Sequence, residues 1–456
     1  MAAATVAVPA PLPLGKVFST TPAAQPPPGQ PDIAYHPDWD KYQARAARRT
    51  QTEDLPKTLP EGFPKELKGD LVWEGETIAQ KYDWTYVLSA DQLAEIDSAL
   101  AHFKCECSSS VICIDDTAEQ ADIKSALNLA KGYITQETFP LPNLHAELRR
   151  LSHELHFGHG FFVIRGLDVD KYTREENIII YTGVSSHIGS IRGRQDAYFE
   201  GKRADVVVGH VKDVRSGLGE NRDKDKVKIG TPAYTADKQV FHTDSGDIVS
   251  LFALSTAAEG GASRLASTWR VYNHLAATRP DLIHTLSGTW EAELFTKTVD
   301  DKDKFMSRPL LYHQPASADG KTPDRVLLQY GRRYYVGFGE LPRSSHLPPI
   351  TEAQAEALDA LHFLGERFSV STNFEKGDMQ YVNNVAIFHA RDGFTDTPDK
   401  QRHLLRQWLR DPENAWETPE PLASRWDRVY GGVTPELQTF PLEPHTRSES
   451  TPGGKK

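Results

Sequence analysis

The sequence predicts a mainly β fold, a sandwich or barrel with helices packed on its outside. Three observations point there. Short β-rich runs recur without the strand–helix alternation of a parallel α/β sheet. The helical stretches between them carry their own start signals. The 456 residues, 39% hydrophobic and 25% charged, are enough for a large core in a globular chain.

The elements follow in order. Residues 1–50, rich in Ala, Pro and Gln with 25-QPPPGQP-31, read as a disordered segment. The stretch 105-CECSSSVICIDDTAEQ-120 reads as a solvated loop, part of a surface insertion over 105–130. A helix is predicted over 143–157, where Leu144, Leu148, Leu151 and Leu155 recur at helical spacing and Gly158 closes it. The run 161-FFVIRGL-167 is a short strand. Thr173 with Glu176 is a capping-box pair opening a helix through 177–188, and Thr351 with Gln354 opens another over 352–368. A helix near 268–277 stops before Pro280. Further strands are predicted over 205–211, 239–244, 248–254, 325–330, 379–390 and 402–410. From 431 to 456 the chain reads as a disordered tail.

Charge and cysteine usage narrow the classes of function. With 52 Lys plus Arg against 63 Asp plus Glu, the net charge of −11 argues against a nucleic-acid partner. No apolar run reaches the roughly 18 residues of a spanning helix, so no membrane partner is expected. Cys105, Cys107 and Cys113 are too few and too clustered for a disulfide framework, which points to a reducing compartment, the cytoplasm.

The stretch 239-QVFHTDSGDIVSL-251 carries the chemistry. His242 and Asp244 stand at i and i+2 of a strand-like segment, so they share a face. An imidazole and a carboxylate on one face can chelate one metal ion. His389 ends the later β-rich run 383-NNVAIFHARDGF-394 and supplies a third donor. Two histidines and one carboxylate form the facial triad of non-haem Fe(II) oxygenases, with positions left open. Taken alone, an H-x-D pair is more often a strand-end ion pair than a metal site. In 402-RHLLRQWLR-410, Arg402 and Arg406 alternate onto one face of an apolar strand. Guanidinium groups there are costly unless they meet anions, and a dicarboxylate beside the metal would supply them. A pair of edge salt bridges is the plainer alternative.

These motifs together, with 256-TAAEGGASRLAS-267 and 377-GDMQYVNNVAIFHARDGF-394, resemble the taurine dioxygenase-like (clavaminate synthase-like) family of Fe(II)/2-oxoglutarate oxygenases over about 160–430. The resemblance implies a double-stranded β-helix, a jelly roll, with an N-terminal helical extension. It implies one catalytic domain over 51–430. It implies Fe(II) on His242, Asp244 and His389, with 2-oxoglutarate as cosubstrate and no catalytic residue beyond the iron ligands. Arg406 matches the family arginine on the far carboxylate, Arg402 matches the nearer one, and Ser263 falls where the family has a hydroxyl contacting that carboxylate. The loop from His389 to the arginines is longer than in the shortest family members. The reaction implied is oxidation of an unactivated C–H of a small organic molecule by O2, releasing succinate and CO2; desaturation and cyclisation are variants of it. A jelly-roll protein that binds metal or small molecules without turnover is the competing class.

Other residues weigh less. His153 and His156 lie opposite the leucine stripe of their helix and, with His159, read as a solvated face rather than a second metal cluster. Asp392 reads as a loop salt bridge or a partner ordering the site, and the amides of Asn383 and Asn384 as a sheet-end turn or an orienting group. Lys202, Arg203, Lys212 and Arg215 lie in the hydrophilic stretch 194–235 and favour a small anionic or zwitterionic substrate. Nothing in the sequence fixes the oligomeric state.

Overall fold

Two sheets face each other, antiparallel except for the parallel edge pair Thr85–Val87 with Phe161–Arg165, and the chain crosses between them beside the predicted ligands. The computed structural model describes residues 24–111, 131–215, 229–293, 305–319, 322–339 and 341–447, with the backbone alone over 105–111. The larger sheet runs in the order Thr85–Val87, Phe161–Arg165, Met379–Asn383, Ile248–Ser255, His403–Arg410 and Ile191–Arg192, and Gly209–Lys212 also pairs with His403–Arg410. The smaller sheet runs Val370–Ser371, Ser263–Ser267, Ile387–Arg391, Gln239–His242. Two facing sheets with helices on their outer sides are the jelly roll that the resemblance implies, elaborated by helices upstream.

Register decides which side chains face inward. Arg406 pairs with Leu251, and Leu251 pairs with Gln380, so these three share a face. From the smaller sheet Ser263 Oγ accepts a hydrogen bond from Gln380 Nε2 at 3.3 Å, joining the two inner faces. The neighbouring residues point outward. There Tyr181 donates to Ser250 at 2.8 Å and Gln407 to Thr182 at 3.0 Å, tying the helix Arg174–Ser186 to the larger sheet. On the outer side of the smaller sheet Phe241 and Phe388, with ring centroids 5.2 Å apart, pack under the helix Glu352–Phe368. Both predicted capping boxes form, Thr173 with Glu176 and Thr351 with Gln354.

Four expectations are corrected. The disordered reading of 1–50 fails for the described residues 24–50: Trp39–Thr52 is an α-helix and Ile33 joins the main core. Tyr42 of this helix is buried in the main core with Trp39 and Ala46 packed against it, and ion pairs flank the contact, Arg45 to Asp359 at 2.7 Å and Arg49 to Glu356 at 2.5 Å. The tail reading of 431–456 fails over 433–447, where Gln438–Thr439 pairs in parallel with Lys202–Val206 and Phe440 is buried. The loop reading of 105–120 fails over 105–111, which continues the helix Ala90–Val111; residues 112–130 lie outside the described residues. His156 is buried rather than solvated, because the segment 411–416 covers the second face of its helix: Trp416 donates to His156 O at 2.9 Å and Ser152 to Asp411 at 2.6 Å. No helix among the described residues is long and apolar enough to cross a membrane.

Candidate metal centre and active-site cleft

Two crossovers between the sheets build the centre. The chain leaves the smaller sheet at His242 and enters the larger one at Ile248; later it leaves the larger sheet at Asn383 and enters the smaller one at Ile387. The crossovers lie side by side, with Asn384 N donating to Asp247 O at 2.8 Å. The Asn384 side chain completes the clamp. Its Oδ1 accepts from Asp244 N at 2.8 Å, and its Nδ2 donates to Asp244 O at 2.9 Å and Gly246 O at 2.7 Å. Gln329 donates to Asp244 O at 2.9 Å from another direction. Gly246 holds φ at 87°, and a Cβ there would stand 2.5 Å from the Tyr430 hydroxyl, so the turn after Asp244 needs glycine. Asp244 is thereby fixed by its backbone as well as by its carboxylate.

His389 pairs directly with His242 across neighbouring strands, and the ring centroids lie 4.3 Å apart. One ligand atom from each of His242, Asp244 and His389 falls within 4.8 Å of the others, the one such group among the described residues. Val240 O is 2.9 Å from His242 Nδ1. A carbonyl only accepts, so Nδ1 carries the proton and the lone pair is on Nε2. That Nε2 lies 3.7 Å from Asp244 Oδ1. Gln239 Nε2 also sits 3.0 Å from it. His389 Nδ1 is a buried nitrogen with no hydrogen-bond partner among the described residues. Burial, with the charge of His242 second, pushes the His389 imidazole down to about 3, so it is neutral and can donate a lone pair. Burial works to raise the Asp244 carboxyl, but Arg406 first and the two imidazoles next hold it below the usual range, so it is ionised. Two neutral imidazoles and one carboxylate on adjoining strands fit a divalent ion such as Fe(II).

The two arginines occupy different places. Arg406 touches the centre: its Nη1 donates to Asp244 Oδ2 at 2.8 Å and its Nε to Gln195 Oε1 at 2.9 Å. Trp408, two residues on and on the same face, donates its indole N–H to the same oxygen at 3.2 Å. Arg402 is buried away from Asp244, against Gly261 and over the Phe394 ring at 5.5 Å. Its Nη1 has no partner among the described residues, and burial with the like charge of Arg391 makes its cation costly. Ser263 lies on the neighbouring strand, directly opposite Arg391.

Other sequence readings are sorted by contacts. Asp392 takes Arg264 in a salt bridge at 2.9 Å, the plain reading. His159 pairs with Glu154 at 2.6 Å and stacks on Tyr82, so the histidines of 153–159 form no cluster. Lys202, Arg203, Lys212 and Arg215 do not line the cleft above the centre. That cleft is open to solvent and is lined by Tyr35, Arg333, Tyr334, Trp408, Arg425 and Arg447 among others. Asn384 was one of two open readings and proves to be the orienting one. Trp408 and Gln329 carried no sequence signal, because an indole or amide on a strand is unremarkable until its partner is known.

Comparison with known proteins identifies the family. Residues 125–408 match the family described as taurine catabolism dioxygenase TauD, TfdA. The chain is 35% identical over 379 residues to the taurine hydroxylase-like protein SAT17 of Stachybotrys chartarum, covering 83% of this chain and 88% of that one. It is 25% identical over 375 residues to the FR-33289 synthase of Streptomyces rubellomurinus, covering 81% and 97%. A solved asparagine oxygenase, in complex with Fe(II), a hydroxyasparagine and succinate, overlaps 73% of this chain and 98% of its own at 16% identity and a TM-score of 0.46. The family match spans both crossovers and most of the arginine-bearing strand, and the chain therefore belongs to the taurine catabolism dioxygenase TauD/TfdA family, as an Fe(II)- and 2-oxoglutarate-dependent dioxygenase.

Proposed function

We propose that His242, Asp244 and His389 hold the iron and that the enzyme hydroxylates a C–H bond of a small anionic or zwitterionic molecule in the cleft above them. The observation that carries the ligand assignment is the meeting of these three side chains within 4.8 Å, His242 and His389 on paired strands and Asp244 on the crossover that follows His242. When bound, ferrous iron with 2-oxoglutarate activates O2, and succinate and CO2 leave with the oxidised product. The protein's own residues orient and exclude. Asn384 and Gln329 fix Asp244, and Arg406 with Trp408 occupies its Oδ2, which leaves Oδ1 and His242 Nε2 directed at a shared site.

The division of labour between the arginines reverses the one the motif suggests. Arg406 is committed to the ligand carboxylate, so it serves the near end of the cosubstrate. Arg402 stands four residues earlier, just before the strand, buried against Gly261 and with no partner for its Nη1 among the described residues, and so suits the far carboxylate. The enzyme is expected in the cytoplasm, whose reducing poise keeps iron ferrous and Cys105, Cys107 and Cys113 as thiols.

Anaerobic protein with Fe(II) and 2-oxoglutarate is expected to show a weak visible charge-transfer band, and His242→Ala is expected to lose it. Arg402→Lys keeps the charge but not the planar fork. It should raise the 2-oxoglutarate KM roughly ten- to a hundredfold, the equivalent of one charge-assisted pair, while iron affinity holds. A full band in His242→Ala would remove that ligand, and a KM raised by Arg406→Lys but not by Arg402→Lys would restore the original division.

A further inference from the structure

The strap 433–447 does not end in solvent; a series of anchors brings it back to the cleft. Arg192 Nε donates to Gln438 Oε1 at 2.6 Å, and Gln438 and Thr439 pair with Asp205 and Val206. Phe440 is buried, His210 Nε2 lies 2.8 Å from Pro441 O, and Arg174 donates to Leu442 O at 3.1 Å. Five residues later Arg447 N donates to the Tyr234 hydroxyl at 3.2 Å. The Arg447 guanidinium then stands over the Trp408 ring at 5.5 Å, and that of Arg406 over the same ring at 5.0 Å. Trp408 itself donates to the ligand Asp244. The charge of Arg447 reaches both Asp244 and Arg406.

We infer that Arg447 is a substrate-binding residue that takes an anionic group, a carboxylate or a sulfonate, of the molecule oxidised at the centre. The inference rests on the reading of the cleft as the active site. Five arginines line the cleft: Arg332, paired with Asp359 at 2.7 Å, Arg333, Arg406, Arg425 and Arg447, of which Arg447 alone comes from the strap. Asp244 is already shared between Arg406 and Trp408 and is a ligand besides. A guanidinium set by the strap beside Trp408 and Arg406 at the cleft can meet a carboxylate or sulfonate with parallel N–H donors, which is the chemistry an anionic substrate group needs there. Arg447 has further contacts of its own in the fold; what the inference uses is the place where the strap sets it. The role is one of specificity: the strap supplies a contact at the mouth that neither sheet can make.

The probe is methanesulfonate, with acetate as the carboxylate arm and tetramethylammonium as a cationic control. Each is titrated into the anaerobic enzyme with Fe(II) and saturating 2-oxoglutarate while the charge-transfer band is followed. Methanesulfonate or acetate should perturb the wild-type band, and tetramethylammonium should not. Arg447→Ala and Arg447→Gln should each weaken the anion's half-saturation roughly ten- to a hundredfold, with Arg447→Lys between, while melting temperature and iron affinity hold. Equal half-saturation in wild type and both neutral variants overturns the inference, as does a wild type whose band ignores both anions. An anion effect that vanishes as 2-oxoglutarate is raised also overturns it, since the anion then occupies the cosubstrate's place. A wild type without any band overturns the iron reading first and takes this one with it.

Discussion

Asn384 fixes the backbone of Asp244, a proposed ligand. Its amide satisfies the N–H and C=O of Asp244 and the C=O of Gly246, so the carboxylate is aimed before any ion arrives. Asn384→Ala should therefore weaken iron binding roughly 10- to 100-fold, measured by anaerobic equilibrium dialysis, with His242→Ala as the reference for full loss. Unchanged affinity would mean that Gln329 and the Gly246 turn suffice. That His242, Asp244 and His389 come together was legible in the sequence, because strand period and ligand chemistry are local properties of H-x-D and of a histidine closing a β-rich run. Asn384, Gln329 and Trp408 meet Asp244 across 140, 85 and 164 positions, and no spacing rule announces such contacts. Arg402 and Arg406 were legible as a pair, but which one meets Asp244 depends on long-range contacts that sequence does not encode locally.

The helix Glu352–Phe368 backs the smaller sheet, and Gly365 is its closest approach. A Cβ there would stand 2.8 Å from Phe241 and 2.9 Å from Phe388, the residues directly before His242 and His389. Gly365→Ala gains about 1 kcal/mol of helix propensity but overpacks rigid rings, at about 1–3 kcal/mol. We expect a net loss of thermal stability and, because both rings precede ligands, a loss of iron affinity in the same variant. Higher stability with full iron binding would show that the helix can shift outward at no cost. Elements with local signals, the two capping boxes above all, were predicted where they form. The helix Trp39–Thr52 was not, because beside Trp39, Tyr42 and Ala46 it docks through Arg45 and Arg49 onto Asp359 and Glu356, and a composition rule counts those arginines as solvated. His156 was misread for a related reason: one leucine stripe says which face is buried first, not whether a second is covered.

At the scale of the molecule, neutral buried histidines tie the fold to pH. Burial pushes His156 and His210 down to about 4, and burial with the charge of His210 pushes His403 down to about 2. Pro441 O only accepts, so His210 donates through Nε2 and accepts from His403 through Nδ1 at 2.8 Å, an arrangement that a proton on His210 Nδ1 abolishes. Arg174, His445 and Lys212 oppose that proton as well. The unfolded chain takes up these protons near pH 6.5 and the folded one only near 4 or below, so this stability is complete above about 6.5 and drains away as pH falls toward 4. Melting temperature should be flat from pH 8 to 7 and decline below about 6.5, with a shallower decline in His156→Gln; a flat profile down to pH 4.5 would mean the imidazoles charge inside the fold. A different consequence lies in the direct pairing of His389 with His242, residues 147 positions apart in the chain. A slip of one residue would turn one imidazole to the far side of its strand, and so distant a pairing is among the slower contacts to close. The fraction of a refolding population able to capture iron thus counts the molecules that have found native alignment, and the metal serves as a clock for the last long-range step of assembly.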